Sequence, residues 1–490
     1  MSVNPQTLAE MRERYGSRHR WLFLLSVMIG SMAAIMSSTI INVAIPDMSH
    51  HFALGQDRAQ WVTSGFMVAM TVGMLTTPWL LMRFGYRRTY TGTMLLLLVG
   101  GVAGGMADNF TLVLLARVVE GVAAGAVQPI PAIIILRAFE PTEQGRASGF
   151  FGMGVVLAPA IGPSIGGLLV DWFGWRSIFF MVVPFCLASL YMAWRFVPVT
   201  APGGAVANAQ GTSLDWRGLL IASIGTVCLL NGLVSLQGRD RGLSALLLGV
   251  AAVAALCFVW WQRRLAQQGG EPLVSLSLFG YRQYAMGSIV AVIYGTALFG
   301  STYLLPVYMQ LGLGLSASHV GTILLPAGLV LAVTIAGVGR LADHVPTYVL
   351  VSAGLALLAS SFALTAFVTL STALWVLVGL SILGRVGLGC ILPSLNMGAM
   401  RGLPRELIAQ GSSTINFLRI LGGAAGVSLC GIILEWRLAV HGDSLGNPQT
   451  SVARLAAFDE VFLLLGAVCA LAILAAWHLR HSRGDTLSQP

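Results

Sequence analysis

The chain has no lysine; all 28 of its basic residues are arginine. That absence excludes a P-loop, whose lysine reaches the β- and γ-phosphates, and it excludes a lysine Schiff base. Charge of either sign is scarce. Only 10% of the 490 residues are charged, against roughly 25% in soluble domains, while 56% are hydrophobic and the mean hydropathy is +0.81. The net charge of +9 does not point to nucleic acid, because the arginines are scattered through short loops. Six cysteines (Cys186, Cys228, Cys257, Cys390, Cys430, Cys469) lie inside apolar stretches, none with CxxC spacing, and read as small packing residues. No loop is long enough for a soluble domain; the two longest are Pro198–Ser213 and Leu438–Phe458. No metal-ligand cluster and no nucleophile–base set is visible, so neither an enzyme nor a bound metal or cofactor is expected.

Long apolar runs are what the chain does have. Fourteen stretches of roughly twenty residues divide it. In lipid, every backbone N–H and C=O has to be satisfied within its own element, so such stretches are expected to be helices. They lie near 21–45, 59–81, 89–107, 110–136, 146–170, 176–197, 216–236, 243–262, 285–306, 318–339, 347–369, 373–397, 409–434 and 459–479. The expected fold class is therefore an all-α membrane protein. The first run is too long for a cleavable signal peptide and lacks a small-residue cleavage site after it. An even number of spans puts both termini on one side. With the N-terminus inside, nineteen arginines, Arg83, Arg87, Arg88, Arg137 and Arg146 among them, fall on the cytoplasmic face and six, such as Arg58, Arg176 and Arg437, on the other. By the positive-inside rule both termini are expected in the cytoplasm. Active transport by such a chain would draw on an ion gradient, since it has no ATP site.

Two turns at equivalent places look related: Pro78–Arg88, with Arg83, Gly85, Arg87 and Arg88, and Gly339–His344, with Asp343. Internal repeats of this kind are common in transporters. The first span ends Ser37-Ser38-Thr39-Ile40-Ile41-Asn42-Val43-Ala44-Ile45-Pro46. The fourth carries Arg117-Val118-Val119-Glu120-Gly121. The fifth carries Gly154 and then Gly162-Pro163-Ser164-Ile165-Gly166-Gly167. A later stretch reads Asn416-Phe417-Leu418-Arg419-Ile420-Leu421-Gly422-Gly423. In order and on these spans, the motifs make the chain resemble the major facilitator superfamily, specifically its fourteen-span drug:proton antiporter branch (EmrB/QacA type), over nearly the whole length. The resemblance implies a cytoplasmic segment 1–20, a six-helix bundle over 21–197, a linker 198–215, an inserted helix pair 216–262, a second linker 263–284, a second six-helix bundle over 285–479 and a tail 480–490. It also implies multidrug efflux across a bacterial inner membrane, small amphipathic substrates exchanged for protons, and a periplasmic adaptor with an outer-membrane channel as candidate partners.

Within the fifth span, Gly154, Ala158, Gly162 and Gly166 recur every four residues and form one small-residue stripe. Pro159 and Pro163 each remove a helical hydrogen bond. Packing is one reading of the motif, with Gly167 beside it. The other is a closely packed helix that seals one side of a cavity, and the resemblance marks the motif as one of antiporters. Arg117 and Glu120, three apart, share a helix face at bilayer depth. They are either an ion pair that locks the bundle or the site of proton coupling. Every histidine falls in a loop or at a span end, which leaves Glu120 as the deep group able to carry a proton. Burial and the neighbouring guanidinium act on it in opposite senses, so a change of surroundings can tip it. The related branch usually has Asp at Ser37 and Gln at Glu120, so the acid is expected to have moved from the first span to the fourth. The branch also has Gly at Pro78 and Asp at Met82, which weakens any charge latch in the first turn.

Arg385 and Arg419 are deep as well. Three deep cations against one carboxylate favour neutral or anionic amphiphiles over lipophilic cations. Candidate cavity residues are Ser37, Asn42, Trp61, Phe66, Met70, Gln128, Tyr294, Tyr303, Asn396 and Asn416, with Arg385 and Arg419. Aromatic and methionine side chains give an adaptable apolar wall and a few amides orient a ligand. The alternative to broad efflux is a dedicated exporter of one metabolite, fatty acid or weak organic acid.

Overall fold

A computed structural model describes residues 7–53, 56–201, 213–236, 241–444 and 451–480, and every regular element among them is helical. Most of the expected linker 198–215 and nearly all of the tail 480–490 lie outside the described residues. The chain divides into two compact units. The first comprises Met1–Thr226, Leu256–Leu276 and Pro404–Phe417; the second comprises Val227–Ala255, Ser277–Leu403 and Leu418–Pro490.

In the first unit the helices are α1 (Leu8–Tyr15), α2 (Arg18–His51), α3 (Gln56–Gly73), α4 (Thr77–Gly105), α5 (Phe110–Val127), α6 (Ile130–Ala138), α7 (Gln144–Phe173) and α8 (Ser177–Phe196). Helices α9 (Trp216–Ser235) and α10 (Arg241–Gln267) lie where an inserted pair is expected, and the division between units runs through both. The second unit holds α11 (Arg282–Val307), α12 (Ala317–Leu341), α13 (Thr347–Thr365), α14 (Leu374–Met400) and α16 (Val452–Trp477). Helix α15 (Ile408–Val440) starts in the first unit and ends in the second.

Twelve stretches among the described residues are long and apolar enough to cross a membrane. One of them, Trp61–Gly105, has 45 residues, which at 1.5 Å each is about twice the hydrocarbon thickness. It covers most of both expected spans, 59–81 and 89–107, and turns at Gly85, whose φ of 74° and ψ of 176° lie outside the helical region. Helix α7, on which the expected span 146–170 falls, is not among the twelve. The twelve stretches are thus compatible with fourteen crossings.

Several boundaries differ from the sequence reading for local reasons. Helix α2 continues through Pro46 to His51 instead of ending at 45. The expected span 110–136 is two helices, α5 and α6, separated by a turn at Gln128 and Pro129. Pro129 and Pro131 cannot donate to the preceding turn, which accounts for the break. Helix α16 starts at Val452, seven residues before the expected 459, because the Ser451 hydroxyl accepts the Arg454 N–H at 3.0 Å as an N-cap. In the second unit, α13 and α14 approach so closely that a Cβ at Gly354 would stand 2.7 Å from the Gly387 carbonyl oxygen.

Candidate proton-linked site

Helix α5 starts at Asn109, whose side-chain oxygen accepts the Leu112 N–H at 2.8 Å. From there the 3.6-residue period carries Arg117 and Glu120 onto the same face, between α2, α3 and α4. Arg117 is 1% exposed and Glu120 is 0% exposed. The Arg117 Nη1 donates to Glu120 Oε2 at 2.5 Å and to the Ser37 hydroxyl at 2.8 Å. The Ser37 hydroxyl in turn donates to the same Oε2 at 3.2 Å. The Arg117 Nε donates to the Val62 carbonyl at 3.3 Å, and the guanidinium carbon lies 4.1 Å from the centre of the Phe66 ring. Helix α4 closes the fourth side with bare backbone: a Cβ at Gly100 would stand 2.7 Å from the Glu120 Cγ, and one at Gly101 would stand 3.4 Å from Oε1. One carboxylate oxygen is therefore held by Arg117 and Ser37, while Oε1 and Arg117 Nη2 are buried without a hydrogen-bond partner. An acid with one tethered and one open oxygen can take up a proton without dismantling its anchoring contacts.

The resemblance expects an acid at Ser37, and the structure brings the Ser37 hydroxyl onto the Glu120 carboxylate. Phe66 packs under the guanidinium. Met70 is buried on α3, its carbonyl facing Gly125 of α5. Trp61 is exposed, and Gln128 is half-buried at the break after α5. The side chains of Asn42 and Pro163 lie outside the described residues. In the second unit, Tyr294 on α11 is buried within electrostatic reach of half-buried Arg385 on α14 and Arg419 on α15. Tyr303 and Asn396 are half-buried. Asn416 is buried and turns back on its own helix, its amide donating to the Ser412 carbonyl at 2.8 Å.

The small-residue stripe of α7 faces α2. A Cβ added at Gly154 would meet Met28 Sδ at 2.5 Å, and one at Gly166 would meet Ile40 Cδ1 at 2.9 Å. At Gly162 the nearest atom is Thr39 Oγ1 at 3.4 Å, and at Gly167 it is Val43 Cγ1 at 4.0 Å. Ala158 is buried between them and Pro159 is half-buried, and α7 runs unbroken through both prolines. The turn around Gly85 docks on the segment that follows α8. Tyr86 N–H donates to Thr200 at 3.0 Å, Arg87 N–H to Pro198 at 2.9 Å, and the Arg87 Nε to the Val197 carbonyl at 2.7 Å. A Cβ at Gly85 would run into the Val199 carbonyl. Arg83 stacks on Trp79 with 5.4 Å to the ring centre, and Arg88 is exposed. Asp343 sits in the turn that follows α12.

Sequence reasoning missed two buried carboxylates. Asp443 (4% exposed) pairs with Arg454 (2%) at 3.2 Å, and the Arg454 guanidinium also donates to the Leu311 and Ser444 carbonyls at 3.0 and 2.7 Å. Asp215, before α9, accepts from Trp261 Nε1 at 2.8 Å, Gln262 Nε2 at 2.7 Å and Gly218 N–H at 2.8 Å. Both acids stand in polar segments outside the apolar runs, where nothing in a hydropathy pattern marks a residue as buried.

Comparison with known proteins agrees with this architecture. Residues 27–427 match the family model described as Major Facilitator Superfamily. The multidrug resistance protein B homolog of Mycobacterium tuberculosis is 30% identical over 448 residues, which is 88% of this chain and 80% of that protein. The multidrug export protein EmrB of Haemophilus influenzae is 29% identical over 442 residues, covering 88% and 84%. A solved structure of the proton:xylose symporter XylE superposes with a TM-score of 0.63 over 94% of this chain and 96% of that one, at 12% identity.

Proposed function

The chain belongs to the major facilitator superfamily and is a multi-pass membrane transporter rather than an enzyme, and from that premise we propose that it exports amphipathic compounds from the cytoplasm in exchange for protons. Both termini are then cytoplasmic, in keeping with the arginine distribution. The observation that carries the reading is Glu120, sealed at bilayer depth with Oε2 anchored by Arg117 and Ser37 and Oε1 unpaired. Intramembrane acids of this kind are costly to keep and serve proton relays elsewhere. Protonation of Glu120 releases Arg117 from its counter-ion and changes how α2, α3, α4 and α5 pack, which biases one side of an alternating-access cycle.

The excess of Arg117, Arg385 and Arg419 over Glu120 on the spans extends the reading to the substrate: neutral or anionic amphiphiles are preferred to lipophilic cations. The chain's relatives in the multidrug class support broad efflux, and a dedicated exporter of one weak acid is the second reading, favoured by the same charge excess. The test is purified protein in liposomes with an imposed pH gradient. A cationic dye and an organic acid are offered side by side to wild type and Glu120→Gln. Transport that follows ΔpH in wild type and not in the variant supports coupling at Glu120. Equal ΔpH dependence in both refutes it.

A further inference from the structure

We propose that a cavity at the arginine-rich end of the first unit binds the acid group of an anionic amphiphile. The cavity measures about 330 Å³, and its lining includes Phe23, Tyr86, Arg137, Phe139, Glu140 and Arg405. Its walls are fixed. Gln144 Nε2 donates to the Phe139 carbonyl at 3.3 Å, the Phe139 ring packs on Trp21 at 5.0 Å between centres, and Glu143 ion-pairs with Arg20 of α2 at 2.7 Å.

Two arginines and one carboxylate stand among its polar groups. Arg137 donates through Nη2 to the Arg405 carbonyl, so two guanidinium-bearing residues meet at one wall. The Arg137 Nε is buried without a partner. Tyr86 is 3% exposed and lies within electrostatic reach of Arg137. Glu140 in the lining forms no ion pair with either arginine, and Glu406, next to Arg405 in the chain, acts electrostatically on Arg137. A buried, unused Arg137 Nε beside a second arginine favours a group that is negative and only accepts, which a carboxylate supplies. Phe23, Ile134 and Phe139 give the apolar wall for the rest of the molecule. At about 330 Å³ the space is at the lower end of ligand pockets; it suits a small free organic acid and is too small for a lipid with two acyl chains.

Resting on the export reading above, the cavity is the place where an anionic substrate is first held on the cytoplasmic side. The test uses the full chain in nanodiscs of phosphatidylcholine. Naphthalene-2-carboxylate and its neutral amide, which differ in charge and little in shape, are titrated by equilibrium dialysis. The carboxylate is expected to bind at least about tenfold more tightly to wild type. Arg137→Gln removes that preference, and Tyr86→Phe, which keeps the ring and deletes the hydroxyl, reduces it several-fold. Equal binding of the two probes, a preference unchanged in both variants, or loss of carboxylate binding when phosphatidylglycerol is added to the disc overturns the assignment; the last outcome gives the cavity to lipid headgroups. The two readings fail separately. ΔpH-driven export of the carboxylate without a charge preference in the dialysis sinks the cavity alone. A charge preference that Arg137→Gln abolishes and Tyr86→Phe weakens, in a protein whose transport ignores ΔpH, sinks proton coupling and leaves the cavity standing.

Discussion

Removing the charge of Glu120 is the sharpest perturbation the structure offers. Glu120→Gln keeps an oxygen that can accept from Arg117 and Ser37 and changes almost no volume. It leaves the Arg117 guanidinium, 1% exposed, without a counter-ion. Breaking a buried pair on one side costs about 3–5 kcal/mol, whereas replacing both partners by apolar residues of similar size is often neutral or stabilising. At roughly 2–4 °C per kcal/mol for a unit of this size, the single variant is expected to melt about 6–20 °C below wild type. Arg117→Met should fall by a similar amount. The double variant Arg117→Met/Glu120→Met should recover at least half of either loss. Thermal unfolding of detergent-purified protein, followed by tryptophan fluorescence, reads all four forms. Single variants that melt with wild type, or a double variant that falls by the sum of the singles, would show that the 2.5 Å contact is not an energetically coupled pair. Transport separates structure from function: the double variant, though refolded in stability, should still show no ΔpH-driven flux.

Four further outcomes follow from named contacts. Gly162→Ala should export normally, since the nearest atom to a new Cβ is 3.4 Å away, while Gly162→Leu should reach the membrane and lose vesicle export. Gly85→Ala should lower expression and melting temperature, because a φ of 74° disfavours any L side chain by about 1–2 kcal/mol and the methyl group would meet the Val199 carbonyl. Arg454→Gln should destabilise the second unit by about 3–5 kcal/mol, read as a lower melting temperature, because it strands Asp443 at 4% exposure. In liposomes an amphipathic acid should be transported in preference to ethidium; robust ethidium flux with no effect on weak acids would contradict the charge argument.

The apolar runs carried most of the fold. Because lipid offers no partner for a stray N–H, a run of twenty apolar residues has one outcome, and α8, α9, α12 and α14 fall close to where the pattern put them. The pairing of Arg117 with Glu120 was equally legible, since a spacing of three on a helix brings two side chains together whatever surrounds them. Ser37 was harder: 83 positions separate it from Glu120, and only its place in a motif suggested a link. The α5–α6 break was visible in Pro129 and Pro131 but was outweighed by the hydropathy of the whole stretch. Gly85 was noted as part of a motif, yet its left-handed backbone follows from the strand of chain at 197–200 packed against it, which no local pattern reveals. Asp215 and the Asp443–Arg454 pair were invisible for a related reason: their burial is created by segments far away in sequence.

The glycine wall over Glu120 has a kinetic consequence. With Gly100 and Gly101 pressed against it, the carboxyl group shares no boundary with water. Each H⁺ it gains or loses has to wait until the surrounding helices part by about the width of one solvent molecule. On the proposed coupling, the closing of α4 would then govern when that exchange occurs. On the same reading, Gly100→Ala, whose new methyl group would press on the Glu120 side chain, is expected to raise proton leak in liposomes without substrate.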